Sequence, residues 1–144
     1  MITVALIAPG RSEGQAPGAA ALIYNNPLAQ ARLQYARQSL RLRDEQIFFI
    51  SPRYGLLGLD ALIRPGDEDI RLMNAENKAQ WAHRVKRDLR QKFMTLGRVV
   101  FLAGSHYQKP LVEMLKGIRL TVDIPCLGME VTQQIEFLTA TNAL

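Results

Sequence analysis

The sequence predicts an α/β fold: a single domain, residues 1–144, built on a mostly parallel sheet of four strands or slightly more, with helices on both faces. Three observations predict it. Residues 3–8, 46–51 and 98–103 are short, nearly unbroken apolar runs, the pattern of strands buried on both sides. Stretches with helical period separate them. The chain has 144 residues, 48% of them hydrophobic, enough to close one core without a second domain.

Taken in order, residues 3–8 (Thr-Val-Ala-Leu-Ile-Ala) make the first strand, and Pro9-Gly10 turns the chain out of it. Residues 11–18, with Gly14, Pro17 and Gly18, read as a loop. A short helix over 19–24 follows. Asn26 and Pro27 then supply an N-cap and a first-turn proline for a second helix over 28–40. Its apolar face is Leu33, Ala36 and Leu40, with Arg32 and Arg37 turned elsewhere. Residues 46–51 form the second strand, stopped by Pro52.

From Ser51 to Met73 no period is sustained, yet Tyr54, Leu56, Leu57, Leu59, Leu62, Ile63 and Ile70 make the segment too apolar for a solvated linker. An ordered, partly buried loop of that kind is usually functional. Asn74 caps a long helix over 75–96, whose Trp81, Val85, Leu89 and Phe93 recur every fourth residue as a buried stripe; Gly97 ends it. The third strand, 98–103, runs into Gly104-Ser105-His106-Tyr107. A short helix over 110–116, a fourth strand over 120–124 closed by Pro125, and a last helix over 131–140 complete the chain. Strands alternating with helices imply right-handed crossovers, and ligands then sit beyond the carboxyl ends of the strands.

Composition narrows the partners. No apolar run approaches the roughly 20 residues that span a bilayer, and the N-terminus lacks the basic flank of a signal peptide, so a cytoplasmic protein without membrane contact is expected. Cys126 is the single cysteine, and His83 and His106 have no partner at metal-ligand spacing, so neither a structural metal nor another cofactor is expected. The net charge is +5 and 13 of the 18 basic residues are arginine. Arginine's fork suits phosphate or carboxylate; a basic surface that only keeps the chain soluble is the alternative.

The loops after the first three strands should converge, bringing together Arg11, Ser12, Ser51, Arg53, Tyr54, Gly55, Gly104, Ser105, His106 and Tyr107. A small-residue turn followed by arginine suits an anion, although neither GxGxxG nor GxxxxGK[ST] occurs. His106 can move a proton near neutral pH; it is otherwise a capping residue. Among the carboxylates Asp60, Asp67, Glu68, Asp69 and Glu130, Asp67 after the Pro65-Gly66 turn is the first candidate for stabilising a cationic sugar-like transition state. Lys78, Arg84, Lys86, Arg87, Arg90 and Lys92 give the long helix a basic side, open to nucleic acid or simply to solvent.

Ser51-Pro52-Arg53-Tyr54-Gly55-Leu56-Leu57, then Arg64-Pro65-Gly66-Asp67, Trp81, Ala103-Gly104-Ser105-His106-Tyr107 and Pro125-Cys126-Leu127-Gly128 make the chain resemble small domains of unknown function related to the YaaA peroxide-stress proteins. Gly66 stands where those domains usually have tyrosine, and Pro52 where they have alanine. The resemblance implies an association with DNA and, in some relatives, base processing. The expected function is therefore an enzyme acting on a nucleobase, nucleoside or nucleic acid at the N-glycosidic bond. In it Arg11 and Arg53 would hold phosphate, Tyr54 position the base, Asp67 support the sugar and His106 handle a proton. The alternative is a non-catalytic nucleic-acid binding module that uses the basic helix. No oligomeric state follows from the residues.

Overall fold

The computed structural model describes residues 1–10, 16–115 and 119–143. Along the chain come β1 (Ile2–Ile7), β2 (Gly18–Ala19), α1 (Ala20–Ile23), α2 (Pro27–Gln34), β3 (Ile47–Ser51), β4 (Gly55–Gly58), β5 (Leu62–Ile63), α3 (Ala75–Lys92), β6 (Leu96–Leu102), α4 (Ser105–Leu115), β7 (Thr121–Asp123) and α5 (Val131–Asn142). The main sheet has five strands in the order β4-β3-β1-β6-β7, and β2 and β5 make a small antiparallel pair. β3, β1, β6 and β7 are parallel; β4 lies antiparallel on the β3 edge. All four predicted strands are present.

Alternation along the strands sorts the core into two layers. Val4, Leu6, Phe48, Ile50, Val99 and Phe101 face α3 and α4, whereas Ala5, Ile7, Ile47, Phe49, Val100 and Leu102 face α1 and the helical segment after it. α5 packs on α2 through Ala31, Cys126 and Leu138. Since β1 is followed first by a neighbour on one side and then, after β3, by one on the other, the strand order reverses between β1 and β6. The carboxyl ends of the strands at such a switch point are where parallel sheets take ligands.

The structure corrects four readings. The irregular 51–73 segment contains β4, with Phe48 opposite Gly58 and Ser51 opposite Gly55. Four residues are too few to show a period, but they alternate: Leu56 packs on one core layer and Leu57 on the other. Ser105, His106 and Tyr107 are the first turn of α4 and not a loop; Pro110 lies inside that helix, where its missing N–H leaves free only the carbonyl of the exposed His106. α3 stops at Lys92, with Phe93 already extended and Gly97 inside β6. Finally α2 gives way to a π-helical turn, Tyr35–Ser39, and Arg32, expected to turn away from the core, is only 4% exposed.

Trp81 is a core residue as its spacing predicts. It is 2% exposed, and its indole Nε1 donates to the Ser51 carbonyl at 2.8 Å, fastening α3 to the end of β3. Trp81→Ala should therefore lower the unfolding free energy by about 3–5 kcal/mol, measured by denaturant titration. A wild-type midpoint would overturn the assignment.

Candidate functional site

At the end of β1, Asn26 does two jobs. Its Oδ1 accepts from the Ala29 N–H and so caps α2, while its Nδ2 donates to the Pro9 carbonyl at 2.8 Å. The turn is tight against it: Gly10 has φ +68°, and a Cβ there would lie 2.7 Å from Asn26 Nδ2. Nearly two helical turns on, Arg32 reaches under the same strand end. Its Nη1 donates to the Ala8 carbonyl at 3.1 Å and its Nη2 to Gln134 Oε1 at 2.8 Å. Burial lowers its pKa to about 10.

At the end of β3, Asp67 gathers donors from four residues. Oδ2 accepts from the Tyr24 hydroxyl at 2.8 Å and the Ser51 hydroxyl at 2.6 Å. Oδ1 accepts from the backbone N–H groups of Arg53 at 3.0 Å and Glu68 at 2.7 Å. That is about the capacity of a carboxylate, so the group is fixed in place. Ser51 is fully buried; its hydroxyl also accepts from the Tyr54 N–H at 2.9 Å. Burial foremost, with Asp67 adding its negative charge and the Ser51 hydrogen bond opposing, pushes the Tyr24 phenol well above its usual pKa.

At the end of β6, Gln108 Nε2 donates to the Ala103 carbonyl, and Tyr107 packs edge-on against Trp81, with ring centroids 6.0 Å apart. The Tyr107 pKa is pushed up to about 12, by burial first and then by the negative charges of Asp67 and Asp69. Tyr107 therefore keeps its proton at neutral pH while standing within the field of Asp67. His106 is exposed beside it. Asp69 is tied to Arg71 at 2.7 Å, and hydrogen bonds from Arg71 pull its pKa down to about 2.

Ser51, Arg53, Asp67, Tyr107 and Gly104 thus gather at the carboxyl edge, whereas Arg11 and Ser12 lie outside the described residues. Beside the Asp67 cluster an open recess of about 420 Å³ is lined by Arg53, Glu68, Asn77, Gln80, Trp81 and Arg84 among others. Arg53 faces it while its Nη1 donates to the Gly66 carbonyl at 3.2 Å and its guanidinium lies 5.2 Å from the Tyr54 ring centre. Tyr54 is half-buried on the β1–β3 core, its hydroxyl accepting from the Arg64 N–H at 3.3 Å; its geometry is that of a packing residue. Ser105 is exposed at the start of α4. Lys86, Arg87 and Arg90, with His83, line a separate shallow depression of about 400 Å³ on α3. Lys78 lies earlier on α3, and Arg84 leans the other way, onto Gly55.

Sequence reasoning missed Tyr24, Arg32, Gln108 and Gln134. Tyr24 and the two glutamines carry no signal in their neighbourhoods. Arg32 carries one: it sits among Ala29, Ala31, Leu33 and Ala36, where small residues let a helix side pack closely and carry the arginine inward.

The model of a family of unknown function, DUF6884, matches residues 4–140. The chain belongs to that family. No curated protein shows significant similarity to it. The matched span runs from β1 into α5, so the ends of β1, β3 and β6, and Asp67 with its donors, lie within it.

Two outcomes follow from this geometry. Gly55 has φ +79°, and a Cβ there would lie 3.0 Å from Arg84 Nε; Gly55→Val should cost about 1–3 kcal/mol from backbone strain and displace Arg84, read as a lowered melting temperature with weakened ligand binding. Between pH 10 and 12 the folded state retains a Tyr107 proton that the unfolded chain has lost, so this group's contribution to stability is complete below pH 10 and disappears as pH rises through about 12. A 295 nm absorbance titration of wild type against Tyr107→Phe should show the missing phenol in the late-titrating fraction; its loss from the fraction titrating near pH 10 would contradict the placement.

Proposed function

We propose that the chain binds a nucleoside or nucleotide unit at the carboxyl edge of its parallel sheet and cleaves the N-glycosidic bond. The observation that carries this reading is the fully hydrogen-bonded Asp67 carboxylate at the end of β3, with a protonated Tyr107 in its field. With its lone pairs engaged, Asp67 directs none at a substrate proton, and its remaining role is that of a fixed negative charge. In hydrolysis of this bond, the C1′–N pair of electrons leaves with the base and the sugar passes through an oxocarbenium-like state; a preorganised anion lowers that barrier. Tyr107 or the exposed His106 supplies the proton taken up by the departing base, water adds to C1′, and the proton that this water loses returns to the same donor. The resemblance to the YaaA-related domains, with their link to DNA and base processing, supports the same substrate class.

A second reading rests on the depression lined by His83, Lys86, Arg87 and Arg90. In it α3 contacts phosphates and the chain is a nucleic-acid binding module without chemistry.

The test is release of free base, followed by chromatography, from normal, damaged and modified DNA and RNA and from nucleosides. Base should be released by wild type, and Asp67→Asn, confirmed folded by circular dichroism, should slow it by at least about 100-fold. No release from any substrate together with no nucleoside binding would sink the enzyme. DNA binding that falls steeply with salt and is lost in Lys86→Gln/Arg90→Gln would establish the second reading instead.

A further inference from the structure

The α2 arginine that reaches under the end of β1 has more hydrogen-bonding capacity than the protein uses. A guanidinium carries five N–H donors. Arg32 gives one from Nη1 to the Ala8 carbonyl and one from Nη2 to Gln134; its Nε–H has no acceptor. Both acceptors are neutral, and among the described residues no carboxylate lies within ion-pair distance. The residue is nonetheless only 4% exposed. A cation removed from water without a counter-charge is strongly unfavourable, so something of opposite charge belongs beside it.

Its position says what. The Ala8 carbonyl it holds belongs to the residue just beyond β1, and the Ala8 N–H donates to the Leu102 carbonyl at 3.1 Å, which ties the ends of β1 and β6 together. Arg32 therefore lies at the switch point between those two strands. On the β6 side of the same switch point α4, eleven residues long, begins at Ser105 with its N-terminus at the end of β6. Gly104, just before it, has nothing within 4 Å of the place a Cβ would occupy. Tyr107, in the first turn of α4, lies within electrostatic range of Arg32. The unpaired N–H groups of a helix N-terminus and a guanidinium fork both favour a multiply oxygenated anion.

We infer that Arg32 and the N-terminus of α4 form a phosphate site at the β1–β6 switch point, and that the site holds the phosphate of the nucleotide whose glycosidic bond lies toward Asp67. This rests on the reading of the site given above and adds to it a substrate class, the phosphorylated rather than the free nucleoside. It also moves the principal phosphate ligand from the expected pair Arg11 and Arg53 to Arg32.

Isothermal titration calorimetry at low ionic strength with inorganic phosphate, adenosine 5′-monophosphate and adenosine tests it. Wild type should bind phosphate and should bind the monophosphate at least about 10-fold more tightly than adenosine. Arg32→Met should lose phosphate binding and reduce the monophosphate to the affinity of adenosine. Arg32→Lys, which keeps the charge without the fork, should bind phosphate at least about 3-fold more weakly than wild type, and decides the matter if the methionine variant does not fold. Phosphate binding of wild-type strength in either variant, equal affinity of wild type for monophosphate and adenosine, or loss of phosphate binding in Arg90→Gln alone would overturn the inference. Base release from adenosine without phosphate binding would remove the phosphate site and leave the enzyme. Phosphate binding lost in Arg32→Met, with no base released from any substrate, would do the reverse.

Discussion

The Asp67 carboxylate ties together three segments at the carboxyl edge of the sheet. Tyr24 at the end of α1, Ser51 at the end of β3 and the backbone of the turn after it all donate to one group. Hydrogen bonds to a charged acceptor contribute about 1.5–3 kcal/mol each where they are sheltered, which offsets the entropy of ordering the chain between β3 and α3. Ser51 passes the constraint on: its hydroxyl fixes the Tyr54 N–H, and its carbonyl receives Trp81. The long helix, the β3–β4 hairpin and α1 are thereby positioned from one point at the sheet's carboxyl edge.

This arrangement explains why the edge holds polar groups without collapsing onto them. Around Asp67 the donors are satisfied and the aromatic partners Tyr24, Trp81 and Tyr107 pack on the sheet core. What is left facing solvent, Arg53 and Arg84 with Glu68, lines the open recess. A rigid inner shell under a charged rim is how a binding site is held to fixed geometry.

The strands and the α3 stripe were legible because burial on two faces, or on one face of a helix, imposes a composition that a single sequence records: residues 3–8 and 98–103 are apolar almost throughout, and Trp81, Val85 and Leu89 fall at one spacing. Asp67 was legible for a related reason, standing after a Pro-Gly turn in a segment too apolar to be a linker. β4 was not, since Gly55–Gly58 is shorter than any period and its alternation appears only once the core has two layers. The start of α4 was hidden by Pro110, which reads as a helix start when the helix has already run for five residues. Tyr24 and Gln134 act through partners 43 and 102 positions away, and separations of that size leave no trace in local pattern.

Arg32 is the place where local reasoning and the fold disagree most. Its side chain type belongs in water, but its place three residues after Ala29 and four before Ala36 carries it to the packed side of α2. The chain instead spends a buried arginine on two neutral acceptors and leaves Nε–H unmatched. Conflicts between local preference and final placement concentrate where a fold serves something other than its own stability. Here the conflict falls at the reversal of strand order, the one point of a parallel sheet where the loops part and the strand ends are open to a ligand. The Ala8 carbonyl and Gln134 orient the guanidinium without neutralising it.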